Sequence, residues 1–356
     1  MRSSRRIAYI AVTLLGAVSL GVGALFVADL YVHQRVQNAA GVNRWGYRGP
    51  VVGRKQPNEI RVVVLGGSTA FGYGLPYTQA FPFYLEQKLN QPPTTGTRYR
   101  VINLGGLSQG AYAFRFDLAD YAYLQYDAAI LYEGYNDLGV RDLPPLVPRR
   151  NTPNYLLWRR QSPLFRMAGY FPVLPLALRE KALLLQAGGD LNRAYSGRVT
   201  FRPGLATRTT AAAMEHAAAI AERLGFEYGS FSGGEPAKLP HDAEENPDLI
   251  SWRHYTSSVV TAVAFARERG ARVLVVGQPY ASKTHVSQQR ALAETIASRF
   301  REDRGVRYVD LGTVVDLRDR RIVYDGLHLV AEGNDRIASH LIDPLHELLS
   351  KGSADQ

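Results

Sequence analysis

The sequence predicts a three-layer α/β/α fold, a doubly wound parallel sheet that carries an N-terminal transmembrane helix and a basic insertion. Three observations predict it. Short, largely apolar runs recur at 62–65, 99–104, 128–132, 272–277 and 306–311, with helix-length patterns between them. Such runs are what strands buried on both faces look like, and their alternation with helices is the pattern of a parallel sheet. The first three runs each end in a glycine-containing polar loop. A parallel sheet gathers those loops at one edge, the edge where open α/β sheets place their chemistry. Finally, Ile7 to Ala28 holds no charged residue, and about 20 apolar residues suffice to span a bilayer.

Composition narrows the function classes. The apolar fraction of 46% is that of a globular chain, and 356 residues bury a large core. The net charge of +10 comes from 42 basic and 32 acidic residues. That balance favours anionic surfaces such as lipid head groups or acidic polymers. The excess arginine is spread along the chain and no nucleic-acid-binding motif is legible, so no nucleic-acid partner is expected. With no cysteine, disulfides, thiolate metal sites and a cysteine nucleophile are excluded.

In chain order, Arg2, Arg5 and Arg6 precede the apolar stretch and Asp29 follows it. Positive residues stay on the cytoplasmic side, so residues 1–32 read as an anchor with the remainder outside the cytoplasm. A cleaved signal peptide, with Val22-Gly23-Ala24 at the cleavage site, is the competing reading, and it also exports the chain. Residues 33–58 read as a linker. Within it Trp45 and Tyr47 belong either to the membrane interface or to a strap packed on the following domain, 59–356.

Arg61-Val-Val-Val-Leu-Gly-Gly-Ser-Thr-Ala-Phe-Gly72 organises that domain. Val62 to Leu65 form a buried strand, Gly66 and Gly67 break it, and Ser68 falls on the turn into a helix. The Ser68 hydroxyl then faces the crevice, and its N–H lies at a helix N-terminus that stabilises negative charge. A phosphate-binding P-loop is excluded because no lysine occurs between Lys55 and Lys88. A Gly-x-Ser-x-Gly elbow is excluded because position 70 is alanine.

The strand 99–104 leads into Gly105-Gly-Leu-Ser-Gln-Gly110, a helix follows over 111–127, and the strand 128–132 leads into Glu133-Gly-Tyr-Asn-Asp137. An insertion then occupies about 141–250. Proline is frequent in it, and arginines alternate with aromatics through Arg149, Arg150, Tyr155, Trp158, Arg159, Arg160, Phe165 and Arg166. The run Tyr170 to Leu178 is too short to span a bilayer. It reads either as an interfacial segment on anionic lipid or as a lid packed on its own domain. Thr209 to Leu224 is alanine-rich and helical, and Phe226 to Pro247 reads as a surface loop. Sheet and helix then resume, with a helix from Trp252 to Arg269 closed by Gly270 and another from His285 to Phe300.

Tyr324-Asp-Gly-Leu-His-Leu opens a terminal helix that runs to about Leu349. Asp325 and His328 are three apart on a turn. That spacing lets the carboxylate hold one ring nitrogen while the other faces a serine; a capping aspartate beside a surface histidine is the plainer alternative.

Four segments, Gly66-Gly-Ser-Thr69, Asn103 to Gly110, Gly134-Tyr-Asn-Asp137 and Asp325-Gly-Leu-His328, resemble in order and strand context those of the SGNH, or GDSL-type, hydrolases. They resemble the subgroup with Gly-Gly-Ser-Thr in the first block. The resemblance covers about 59–140 and 250–349 and implies a flavodoxin-like sheet. It further implies Ser68 as nucleophile, His328 as base and then acid, and Asp325 as the group that orients the histidine. The oxyanion hole would comprise the Ser68 N–H, a second-block glycine N–H and the Asn136 amide. Two departures stand out. Gly67 occupies the place of the family's aspartate, and the second block is stretched, so that Ser108 stands where the family has glycine. Gly110, after a two-residue insertion, is the preferred donor and Gly105 the alternative.

The expected activity is hydrolysis of an acyl ester, acetyl above all, through an acyl-enzyme, with an envelope glycan or lipid as partner. Transfer of the acyl group to an exported glycan, and a catalytically silent glycan-binding protein, are the alternatives. No cofactor is implied. No metal site is implied either, since His216, His241, His254 and His285 are scattered.

Overall fold

The computed structural model describes residues 2–91, 96–138, 159–160, 162–190, 193–194, 205 and 252–350. The readings placed on 209–224, 226–247, Arg149, Arg150, Tyr155, Trp158, His216 and His241 lie outside them. Five strands form one parallel sheet: β1 (Glu59–Gly66), β2 (Arg98–Asn103), β3 (Ala128–Tyr132), β4 (Arg272–Gly277) and β5 (Val306–Asp310). Their spatial order is β2-β1-β3-β4-β5, the flavodoxin-like doubly wound order. The helices are α1 (Arg2–Ala40), α2 (Ser68–Phe71), α3 (Phe81–Leu89), α4 (Phe114–Asp120), α5 (Pro163–Ala168), α6 (Leu174–Gln186), α7 (Arg253–Glu268), α8 (Lys283–Arg299) and α9 (Ala331–Ser350).

The described residues fall into two compact units. One holds 47–138 and 252–350, the sheet and the helices around it. Its strands alternate faces with period two. Val62, Val64, Ile130, Tyr132, Leu274 and Val276 face a core completed by Phe81 and Leu85 of α3 and by Ile337, Leu341 and Leu345 of α9. The intervening residues Val63, Leu65, Ala129 and Val275 are equally buried, on the side of the sheet where α4 packs on α7. Helices cover both faces, which is why β3, Val62–Leu65 of β1 and Val273–Val276 of β4 are continuously apolar, while the edge strands β2 and β5 carry Arg98, Arg100, Arg307 and Asp310.

Some local readings change. The helix expected over 111–127 is three pieces, with 3₁₀ turns at Ala111–Ala113 and Ala122–Leu124 around α4, closed by Gln125 at φ 53°. The first helix after the glycine turn stops after one turn, because Gly72 takes the left-handed conformation at φ 79°. The terminal helix begins at Ala331; residues 323–329 instead form a tight turn closed by an antiparallel bridge between Val323 and Leu329.

The stretch 33–58 is not a uniform linker. Its first part continues α1 to Ala40. Tyr47 and Arg48 are buried, and Arg48 bridges Asn103 in antiparallel fashion at the end of β2. The strap reading therefore holds for Tyr47.

The second unit holds residues 2–46 and the described residues between 159 and 205. Arg5–Ala40 is long and apolar enough to cross a membrane. The whole helix measures about 58 Å at 1.5 Å per residue, against about 30 Å for a bilayer's hydrocarbon. Asp29, expected as a charge flanking the span, is fully buried inside this helix. Its carboxylate accepts from the Val173 N–H at 2.9 Å, from the Leu174 N–H and from the Tyr170 hydroxyl. Those two N–H groups open α6 and have no intrahelical acceptor, so Asp29 caps α6 from a distant helix. Tyr170, Phe171, Val173, Leu174 and Leu176 are buried in this unit. The Tyr170–Leu178 run is therefore largely packed within its own unit rather than laid open to lipid.

Candidate active site

β1 delivers the first loop. Gly66 has no room for a side chain, since a Cβ there would lie 2.2 Å from the Tyr132 carbonyl and 2.6 Å from the Ala70 Cβ. Gly67 precedes α2 and Ser68 is its first residue. The Ser68 N–H has no partner among the described residues. The far end of α2 is held by Arg48, whose guanidinium donates to the carbonyls of Phe71, Gly72 and Leu75 and stacks 4.1 Å over the Phe71 ring. A cation on the last carbonyls of a helix is favourable there. Burial lowers the Arg48 pKa to about 10.

The 323–329 turn delivers the second element. Asp325 Oδ1 accepts from the N–H groups of Leu327 (3.1 Å) and His328 (2.8 Å), and Gly326 takes φ 92°. This local turn aims the other carboxylate oxygen at the ring: Asp325 Oδ2 lies 2.6 Å from His328 Nδ1. A proton on Nδ1 leaves Nε2 as an acceptor, and Nε2 lies 2.8 Å from Ser68 Oγ. Burial raises the Asp325 pKa, but the His328 and Leu327 N–H groups and the imidazole outweigh it and leave the carboxyl below its ordinary value. The imidazole sits between Tyr324, stacked at 5.8 Å, and Tyr73 at 5.1 Å. The Tyr324 hydroxyl donates to the Tyr73 carbonyl at 2.9 Å. Tyr73, Tyr324 and Leu327 form an exposed apolar rim.

The third loop follows β3. Glu133 is buried, and its carboxylate accepts from the N–H groups of Gly67, Gly134 (3.0 Å) and Asn136 (2.9 Å) and from Asn136 Nδ2 (3.2 Å). Asn136 Nδ2 also donates to the Gln109 carbonyl at 3.1 Å. A Cβ on Gly67 would lie 2.2 Å from Asn136 Nδ2, so this amide adjoins the residue before Ser68. Behind the loop, Gln278 accepts from the Tyr135 N–H and donates to Thr69 Oγ1, both at 3.0 Å, while Gln288 donates to the Gly134 carbonyl at 3.0 Å. Burial raises the Glu133 pKa against its four N–H donors. Burial, and then the charge of Glu133, raises Asp137.

The second block separates its glycines. The Gly105 N–H donates to Asn103 Oδ1 and the Gly106 N–H to the Gly66 carbonyl, both at 2.9 Å. Ser108 takes φ 55°, which reverses the chain and brings Gln109 and Gly110 back towards Asn136 and Asp137. The Gly110 N–H has no partner among the described residues.

Ser68, Asp325 and His328 thus form one hydrogen-bonded chain, and Asn136 adjoins it. Sequence reasoning assigned no role to Glu133, Gln278 or Arg48. A glutamate directly after the apolar run Ala128–Tyr132 was a usable signal, and so was a glutamine directly after β4; Arg48 left none. His285 is buried against Tyr135 with ring centroids 4.7 Å apart, and burial lowers its pKa to about 4.

No protein-family model and no curated protein matches the chain. Among solved structures it is similar to the psychrotrophic esterase EstA from Pseudoalteromonas sp. (9% identity, covering 81% of this chain and 98% of that one, TM-score 0.43). It is also similar to Axe2, an acetylxylan esterase from Geobacillus stearothermophilus (10% identity, 81% and 94% covered, TM-score 0.42). A third such structure is a member of the lipolytic protein G-D-S-L family from Veillonella parvula (9% identity, 80% and 97% covered, TM-score 0.41). Likeness at this level extends neither to activity nor to residue roles.

Proposed function

We propose that this chain is a membrane-anchored serine ester hydrolase of the SGNH type, Gly-Gly-Ser-Thr subgroup, with its catalytic unit outside the cytoplasm. One observation carries the reading: Ser68 Oγ, His328 Nε2, His328 Nδ1 and Asp325 Oδ2 are linked by contacts of 2.8 and 2.6 Å on two separate loops. A serine hydroxyl is a poor nucleophile until a positioned base takes its proton. Ser68 Oγ attacks the acyl carbonyl while Nε2 accepts its proton, and Asp325 stabilises the imidazolium. The imidazolium then protonates the leaving alkoxide, and the acyl group stays on Ser68. Water attacks next and gives one proton to Nε2, which passes it to Ser68 Oγ as the carboxylic acid departs. The oxyanion is held by the N–H groups of Ser68 and Gly110 and by the Asn136 amide. The uncommitted Gly110 N–H supports it over Gly105, whose N–H is already spent on Asn103. Asn136 must exchange its bond to the Gln109 carbonyl for the oxyanion.

The uncharged Ile7–Ala28 stretch after Arg2, Arg5 and Arg6 supports the anchor and its orientation. The substrate proposed is an acyl ester, acetyl in the first instance, on an envelope glycan or lipid. The same acyl-enzyme serves transfer to a glycan hydroxyl, a second reading supported by Tyr73 and Tyr324, exposed aromatic rings beside His328 that offer a surface for a sugar acceptor.

The test is turnover of a short-chain chromogenic ester by the detergent-solubilised full chain beside Ser68→Ala, with and without an added glycan acceptor. Turnover in the parent and its loss by at least about 10⁴-fold in the variant is expected. Similar rates in both contradict the proposal, and diversion of product to the acceptor selects transfer.

A further inference from the structure

We infer that Glu133 is a positioning residue whose single buried carboxylate fixes both the Ser68 turn and the Asn136 amide. The inference rests on the serine-hydrolase reading above and concerns how that site is kept in register. Parallel pairing sets Gly66 of β1 opposite Tyr132 of β3, so the residues that follow, Gly67 and Glu133, leave the sheet side by side. Glu133 is 2% exposed, and no cation pairs with it among the described residues. Its charge is met by four N–H donors, one before the nucleophile and three from its own loop. An ionised carboxylate is acceptor-only, so it can take all four, three on Oε1 and the Gly67 N–H on Oε2.

The space confirms the pairing. A Cβ at position 67 would lie 2.3 Å from Glu133 Oε2 and 2.2 Å from Asn136 Nδ2. Gly67 is therefore the residue that lets this carboxylate reach the turn. Ser68 is one peptide from Gly67, and the Asn136 amide is bonded directly to Glu133 Oε1. The nucleophile and the proposed oxyanion donor thus share one anchor, and a shift of that anchor moves both. Glutamine at 133 has nearly the same shape but presents an NH₂ group to N–H donors. It has to expel at least one of them, and the loop or the turn relaxes.

The experiment compares the full chain in detergent with Glu133→Gln, Glu133→Asp and Glu59→Gln, at mildly alkaline pH where the carboxyl is ionised. Glu59 is the control, a buried carboxylate at the opposite end of β1, paired with Arg61 at 2.7 Å. The readouts are kcat and KM on the chromogenic ester, and hydrogen exchange of peptides covering 61–72 and 128–138. Glu133→Gln should lower kcat about 100-fold, as a displacement of about 1 Å does, with KM within about 3-fold because ground-state binding is untouched. Glu133→Asp keeps the charge and should recover about 10-fold of that loss. Glu59→Gln should leave kcat unchanged. Exchange protection should fall in the two loops of Glu133→Gln and nowhere else.

Unchanged kcat in Glu133→Gln, an equal loss in Glu59→Gln, or no recovery in Glu133→Asp overturns the inference. If Glu133→Gln does not fold, Glu133→Asp decides it: about 10-fold lower kcat than the parent at unchanged KM supports it, and parental kcat overturns it. If the parent shows no turnover, the hydrolase reading fails by itself. The exchange data then decide the positioning alone: loss of protection confined to the two loops supports it, and unchanged protection overturns it.

Discussion

Asp29, in the unit built on the apolar helix, and Glu133, in the unit built on the sheet, solve the same problem. Each is a buried carboxylate satisfied largely by backbone N–H groups rather than by an arginine or lysine. Asp29 takes its partners from Tyr170, Val173 and Leu174, 141 to 145 residues away, and fastens α6 to α1. Glu133 takes three of its four bonds from its own loop and one from Gly67, 66 residues away. The first joins two elements into a unit. The second sets the spacing of groups that must act together. An unpaired buried carboxylate is costly in either place, so what differs is the readout: order of a helix in one case, rate in the other.

Substitutions sharpen that contrast. The largest effect should come from the exposed end of the site. Asp325→Asn keeps the turn but favours the wrong imidazole tautomer, and kcat should fall about 10⁴-fold with KM little changed; a loss below about 10-fold would break the account of His328. Next comes the loss of about 100-fold expected for Glu133→Gln. Asp29→Ala should leave kcat at the parental value while costing about 3 kcal/mol, the penalty of stranding buried donors at the start of α6. Faster exchange of peptides from 173–186 measures it, and an equal effect on kcat would erase the distinction between the two carboxylates.

The smallest effect is pH dependence. Burial keeps Glu133 and Asp137 protonated in the folded protein at pH values where the unfolded chain has lost those protons. Their contribution to stability is therefore full below about pH 4 and is lost as pH rises through the neutral range. The thermal midpoint of the parent should decline over that rise, and Asp137→Asn should flatten the decline. Equal slopes would contradict the assignment.

What the sequence made legible follows from distance along the chain. Gly66-Gly-Ser68 and Asp325-Gly-Leu-His328 each encode their own turn: Gly66 through the Tyr132 and Ala70 contacts, Asp325 through the two N–H groups just after it. The central strands β1, β3 and β4 were legible because helices cover both faces and make their inner residues continuously apolar. Asp29 read as a flanking charge because the helix N-terminus that it caps lies far along the chain. Arg48 read as linker because its acceptors are carbonyls of Phe71, Gly72 and Leu75, which no side chain announces. Residues 111–127 kept a helical pattern while the backbone broke it at Tyr121 and Gln125, a choice made by packing rather than propensity. The second block was legible as a glycine loop but not in register, which is set by the left-handed Ser108.

The most direct measurement is covalent. The full chain and His328→Gln are treated with a fluorescent phosphonate, and the adduct is located by peptide mass spectrometry. One adduct per chain on Ser68 of the parent, and its near-absence in His328→Gln, is the result expected of a serine activated by that histidine. No adduct in the folded parent, or an adduct on another residue, would contradict the claim that Ser68 is the nucleophile.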